Sequence, residues 1–204
     1  MPTGVAIRDV REQLFGAAER VLLRAGPDAL TSRAVTTEAG CAKGVLHRHF
    51  GDFDAFLAEL VLERISRIGH RTAALRDAAG TGTAAGNLTG VLADLFDPVT
   101  VAIVALVTFR DELRARLRQA GTAGGVPILA EAAAGISGYL AAERDLGRLV
   151  PDADTDTLAR TLLGAAHLLF ADRETGPPEA DAVHKAVTTV LAGALPRPAG
   201  RDRT

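Results

Sequence analysis

The chain has 204 residues, enough for one or two domains, with a 48% apolar fraction in which Ala, Leu and Val dominate and only 4% aromatics. That is too apolar for a disordered chain and lacks the β-branched and aromatic alternation of a β protein, which leaves an all-α fold. A net charge of −2 gives no global attraction to nucleic acid or to an anionic membrane, and the single cysteine, Cys41, excludes an internal disulfide and any Cys-based metal cluster.

In chain order, Val10, Leu14, Ala17, Ala18, Val21 and Leu22 recur at helical spacing, and Gly26-Pro27 ends that helix. Arg8, Asp9, Arg11 and Glu12 interrupt any signal-peptide core at this end. Thr31-Ser32 is an N-cap signal for a short second helix that ends at Gly40, and a third short helix covers roughly Ala42 to His49. Asp52 then caps a long helix whose stripe runs from Phe53 through Phe56, Leu60 and Ile65 to about Ala79. After a Gly-rich connection, a fifth helix is predicted over Asn87 to Phe96. Asp97-Pro98 opens a sixth to about Ala120, apolar in its first half and charged in its second. A seventh spans about Pro127 to Leu146, an eighth starts at Pro151–Asp154, and a ninth follows Gly176-Pro-Pro178. The longest apolar run, Val99 to Phe109, is about half a membrane span, so the expectation is a cytoplasmic protein with no membrane partner. Residues 197–204 read as a disordered tail.

Charge is uneven along the chain. Residues 1–50 hold seven basic side chains (Arg8, Arg11, Arg20, Arg24, Arg33, Lys43, Arg48) against five acidic ones, and the remainder carries a net −4. The second and third helices, joined at Ala39-Gly40, have the spacing of a helix-turn-helix, in which glycine supplies the left-handed backbone of a sharp reversal. An ordinary helical hairpin has the same spacing. The run from Leu30 to Phe50, with Ala39-Gly40, Lys43-Gly44, Leu46 and Phe50 in register, resembles the DNA-binding signature of the TetR family of transcriptional regulators. Three positions depart from the family pattern: Ala42 replaces a capping Ser, His47 a frequent Tyr, and Phe53 a Lys that holds a phosphate.

The resemblance implies an all-α fold of about nine helices, with residues 1–51 as a helix-turn-helix DNA-binding domain and residues 52–196 as a ligand-binding and dimerisation domain. It implies that Thr31 and Ser32 approach a phosphate and that Arg33 reads a guanine edge or falls back on phosphate. Lys43, Gly44 and Val45 would face the major groove, and His47, Arg48 and His49 would grip the flanking backbone. Leu46 and Phe50 belong to the core. A homodimer reading two half-sites would form through Leu158, Leu162, Leu169, Val183, Val187 and Val190, stripes that could equally complete a monomer core. His70, Phe96, Phe109, Tyr139 and His167, sparse polar or aromatic residues on apolar helices, are candidates for an effector pocket, each with a plain core role as its rival. The ligand would be small and mainly apolar, and its binding would shift the spacing of the recognition helices through the long fourth helix.

The function expected is therefore a ligand-responsive DNA-binding regulator, a repressor on a palindromic double-stranded operator. The alternative is a helical dimeric interaction protein with a weakened DNA reader. An enzyme is not expected: no nucleophile elbow, dinucleotide fingerprint or His-x-x-x-His pair is present. No cofactor or metal is expected either, since His47 and His49 point to different helix faces and Asp152, Asp154 and Asp156 lack the spacing of a calcium loop.

Overall fold

A computed structural model of the chain describes residues 4–171 and 176–196, and every regular element among them is helical. In order these are α1 (Gly4–Ala25), a 3-10 turn (Pro27–Ala29), α2 (Ser32–Glu38), α3 (Gly44–Phe50), α4 (Phe53–Asp77), α5 (Ala84–Leu95), α6 (Pro98–Thr108), α7 (Asp111–Gln119), α8 (Pro127–Asp145), α9 (Thr155–Phe170) and α10 (Ala180–Leu191). The tail expected over 197–204 lies outside the described residues.

The helix starts follow local side-chain chemistry. Thr31 Oγ1 accepts from the Ala34 amide at 3.1 Å, Asp52 Oδ1 from Ala55 at 2.6 Å and Asp154 Oδ1 from Thr157 at 3.0 Å. Each satisfies one of the amide donors that a helix N-terminus leaves without an intrahelical partner. Thr83 does the same for α5, accepting from Gly86 at 3.0 Å, so that helix starts three residues earlier than predicted.

The sixth predicted helix is two. α6 stops at Thr108 and α7 starts at Asp111, with Arg110 in extended backbone between them. No Gly or Pro marks the break. Arg114 reaches back from α7 to donate to the Val107 and Thr108 carbonyls at the end of α6. Asp111 and Glu112 supply the acidic first turn that a new helix N-terminus favours.

The described residues form two compact units. The first comprises those up to Ser66 together with Pro98–Ile128, and the second comprises Arg67–Asp97 together with those from Leu129 onward. In the first, Leu14, Ala17, Ala18, Val21 and Leu22 of α1 are buried along with Leu46 and Phe50 of α3, Phe56 and Leu57 of α4, and Ile103 and Leu106 of α6. Phe50 lies at the centre of an aromatic cluster, 5.5 Å from Phe15 and edge-on to Phe56 at 5.0 Å. The guanidinium of Arg11 sits 4.4 Å from the centroid of the Phe50 ring.

In the second unit α10 packs against both α5 and α9. This double contact buries Leu162, Val183 and Val187 within a single chain. Of the six residues assigned to a dimer interface, these three complete the chain's own interior, and Leu158, Leu169 and Val190 are half-buried. The outward face of α9 is instead Thr157, Thr161, Gly164 and Leu168, with Leu168 79% exposed.

Candidate nucleic-acid interface

The turn between α2 and α3 is built from both sides. Gly40 adopts φ +65°, as the reversal requires, and the Cys41 amide donates to Thr36 O at 3.0 Å. Gln13 of α1 donates from Nε2 to the Ala39 carbonyl at 2.8 Å, which ties the turn to the first helix. α3 has no side-chain cap, in keeping with Ala42 standing where a capping hydroxyl is usual. Leu46 and Phe50, one helical turn apart, are buried and fix the orientation of α3. That orientation leaves Lys43, Gly44, His47 and Arg48 exposed, and Val45 and His49 half-buried. Thr31 and Arg33 are exposed on α2 and its cap, while the Ser32 hydroxyl is buried with no hydrogen-bond partner among the described residues. His47 Nδ1 lies 3.2 Å from Gly51 O.

Charge pairing separates the cations of this unit into two groups. On α1, Arg20 and Arg24 both donate to Glu38, at 2.7 and 2.8 Å, and hold its carboxyl below the ordinary range. Arg11 pairs with Glu59. Among the described residues, Arg33, Lys43 and Arg48 have no ionic partner. The net +2 of the first fifty residues is thus concentrated on α2 and α3, where it meets solvent.

Of the five effector candidates, Phe96 and His167 are brought together. Phe109 is in the first unit and 84% exposed, because the α6–α7 break turns it outward, and His70 is exposed on α4. Phe96 is buried, stacks on Phe170 at 5.7 Å and lies 6.0 Å from the half-buried His167 ring. His167 Nδ1 is buried there with no hydrogen-bond partner among the described residues. Tyr139, fully buried, belongs to a separate polar network. Its hydroxyl donates to the Glu143 carboxylate and accepts from Asn87 Nδ2 at 3.1 Å; burial, then the Glu143 contact, raises the phenol above its ordinary value. Glu143 is itself fully buried, accepts from the Gly80 amide at 3.2 Å and pairs with Arg148 Nε at 3.0 Å.

The sequence reading missed Glu143 and Phe170. Glu143 stands in register with Ile136, Tyr139 and Leu140 on one helix face, a spacing that could have revealed it; the charged run Glu143-Arg-Asp145 reads instead as a solvated helix end. Among the described residues no three His, Cys, Asp or Glu side chains are placed to hold a metal ion, and no single helix is long and apolar enough to cross a membrane.

Residues 14–60, which include the α2–turn–α3 unit, match the family described as bacterial regulatory proteins, tetR family. No curated protein sequence matches the chain. Solved structures share the fold. A transcriptional regulator from Rhodococcus sp. Rha1 superposes with a TM-score of 0.68 at 21% identity, over 92% of this chain and 99% of that one. SmeT, the repressor of the Stenotrophomonas maltophilia multidrug efflux pump SmeDEF, gives 0.64 at 22% identity over 92% and 91%. FadR from Bacillus subtilis, solved with stearoyl-CoA, gives 0.69 at 17% over 89% and 98%. Residues 14–60 are thus similar to the tetR family of bacterial regulatory proteins, and the chain has the all-helical fold that these solved regulators share.

Proposed function

We propose that this protein is a transcriptional regulator of the cytoplasm, a repressor that binds a palindromic operator as a homodimer and leaves it when a small, mainly apolar effector binds. The observation that carries the DNA-binding reading is the exposed, ionically unpaired set Arg33, Lys43 and Arg48, in contrast to Arg11, Arg20 and Arg24 of α1, which are paired with carboxylates. Free cations on one face supply the phosphate attraction that dominates DNA affinity. Arg33 and Lys43 are long enough to reach base edges. Gly44 permits close approach to the groove, and Val45 offers a methyl surface to thymine. His47, Arg48 and His49 grip the flanking backbone. Thr31 Oγ1 accepts from its own helix and keeps its proton free to donate to a phosphate, with Ser32 beside it.

One recognition helix reads too few bases for useful specificity, and a two-fold dimer presents two, about 34–36 Å apart. The exposed α9 face of Thr157, Thr161, Gly164 and Leu168 suits a second copy, with the part-exposed Leu158, Leu169 and Val190 at its margin. For the effector, Phe96, His167 and Phe170 offer aromatic surface with one unsatisfied ring nitrogen, which suits an apolar molecule bearing a single polar group. FadR, solved with stearoyl-CoA, supports an apolar ligand in this fold. Release follows if the effector binds better to the state whose recognition helices are wrongly spaced.

The test is selection of bound fragments from genomic DNA, comparing wild type with Arg33→Ala/Lys43→Ala. Recovery of a palindromic site that the double variant loses, with a salt slope smaller by about 3.6 for the four cations removed from the homodimer, supports the regulator. Weak recovery with a flat salt dependence supports the alternative, a dimeric interaction protein whose DNA reader has decayed.

A further inference from the structure

α7 is fastened to both ends of the helix-turn-helix. Arg110, at its N-cap, donates from Nη2 to the Leu30 carbonyl at 3.3 Å, just ahead of α2. Arg116 forms a two-pronged pair with Asp52, Nη1 to Oδ1 at 2.7 Å and Nη2 to Oδ2 at 3.2 Å, two residues past the end of α3. Both partners are part-exposed, Arg116 at 38% and Asp52 at 57% of the side chain. Asp52 is also the cap of α4, so its carboxylate is fixed in place by the Ala55 amide. Without Arg116, a fixed negative charge would stand two residues past the end of α3, the helix that carries Arg48 in its last turn, and would oppose a phosphate drawn to that end. Of the neighbouring charges on α7, Arg114 pairs with Asp111 and Arg118 points into solvent.

We propose that Arg116, contributed by α7 from outside the helix-turn-helix, is part of the nucleic-acid interface, where it cancels the charge of Asp52 at the exit of α3. The inference rests on the DNA-binding reading above and adds a residue that lies beyond the family's matched segment, 14–60. It differs in sign from a purely structural tie. If the pair only held α7 in place, breaking it from either side would weaken binding alike. If the role is charge cancellation, removing Arg116 weakens binding and removing the charge of Asp52 strengthens it. Asp52→Asn serves for this because asparagine caps a helix as well as aspartate.

The experiment titrates the full chain against a generic duplex of about 30 base pairs, from 0.1 M to 1 M salt, for wild type, Arg116→Ala, Asp52→Asn and the double variant. Loss of one phosphate-equivalent from each copy of the homodimer changes the salt slope by about 1.8, so Arg116→Ala should bind about sixtyfold more weakly at 0.1 M and converge on wild type at 1 M. Asp52→Asn should bind about sixtyfold more tightly, and the double variant should return to the wild-type curve. Arg116→Gln, which keeps part of the stem and a hydrogen-bonding end without the charge, stands in should Arg116→Ala lose its cooperative thermal transition. Asp52→Asn binding as weakly as Arg116→Ala, or either single variant matching wild type, overturns the proposal while leaving the DNA-binding reading intact. Wild type with no salt-dependent binding overturns both.

Discussion

Two glycines on different helices should respond to the same substitution in opposite ways. Gly90 of α5 is exposed, and a Cβ built there meets nothing within 4 Å. Gly135 of α8 faces Thr72 of α4, and a Cβ there would overlap the Thr72 Cβ, Oγ1 and Cγ2. Thr72 has little room to yield. It is buried, its hydroxyl donates to the Ile68 carbonyl at 3.1 Å, and its Cβ does not move with any change of rotamer. Replacing glycine by alanine within a helix gains about 0.8–1.0 kcal/mol from backbone propensity, and both variants share that gain. Overpacking at Gly135 costs about 1–3 kcal/mol, so Gly135→Ala should lie below Gly90→Ala by that amount. With a urea slope of about 2 kcal/mol/M, the two midpoints should differ by about 0.5–1.5 M, Gly90→Ala above wild type. Equal midpoints would refute the close approach of α4 and α8 at this point. Unequal slopes would show instead that the substitution had altered the denatured state or the cooperativity of unfolding.

If the proposed homodimer forms through the α9 face, Leu168→Glu should sediment as a monomer at unchanged helicity, since Leu168 is 79% exposed in its own chain; a dimer that persists in the variant refutes that face as the interface. Phe109→Ser should leave stability within about 0.5 kcal/mol of wild type, whereas Phe96→Ala should cost about 3–5 kcal/mol, and thermal melts of the pair measure the contrast. Arg20, then Arg24, hold the Glu38 carboxyl below its ordinary value of 4.5. The stability this confers is complete above that value and drains away as pH falls through the lowered one. Glu38→Gln should therefore flatten the acid limb of the melting-temperature profile below about pH 4.5, and an unchanged limb would remove Glu38 from the account.

What the sequence makes legible here is what is local. Thr31, Asp52 and Asp154 cap their helices through amides three residues away, and Gly40 takes the positive φ that its place in the turn demands. The inward and outward faces of α3 follow from Leu46 and Phe50 being one helical turn apart. The α6–α7 break escapes this logic because it depends on a carbonyl eighty residues away in sequence, at Leu30, and on Arg114 folding back. Periodicity marked Leu162, Val183 and Val187 as an apolar stripe but could not tell whether α5 or a second chain would cover it. A search for polar residues on apolar helices finds Tyr139 but not the Glu143 and Asn87 partners that its hydroxyl meets, because they come from elsewhere on α8 and from α5. The Arg116–Asp52 pair, 64 residues apart, leaves no mark in either segment alone.

The protein contains one tyrosine and no tryptophan, so its ultraviolet emission comes almost wholly from Tyr139. In the folded chain that phenol is hydrogen-bonded to a carboxylate, an arrangement that quenches tyrosine by drawing off its excited-state proton. Loss of structure around α8 replaces the carboxylate with water and brightens the signal. The helices that carry Arg33, Lys43 and Arg48 hold no such fluorophore and are optically silent. Once corrected for the light that the duplex itself absorbs, emission during a titration with DNA therefore reports the surroundings of Tyr139, in the second unit, without a label having been added.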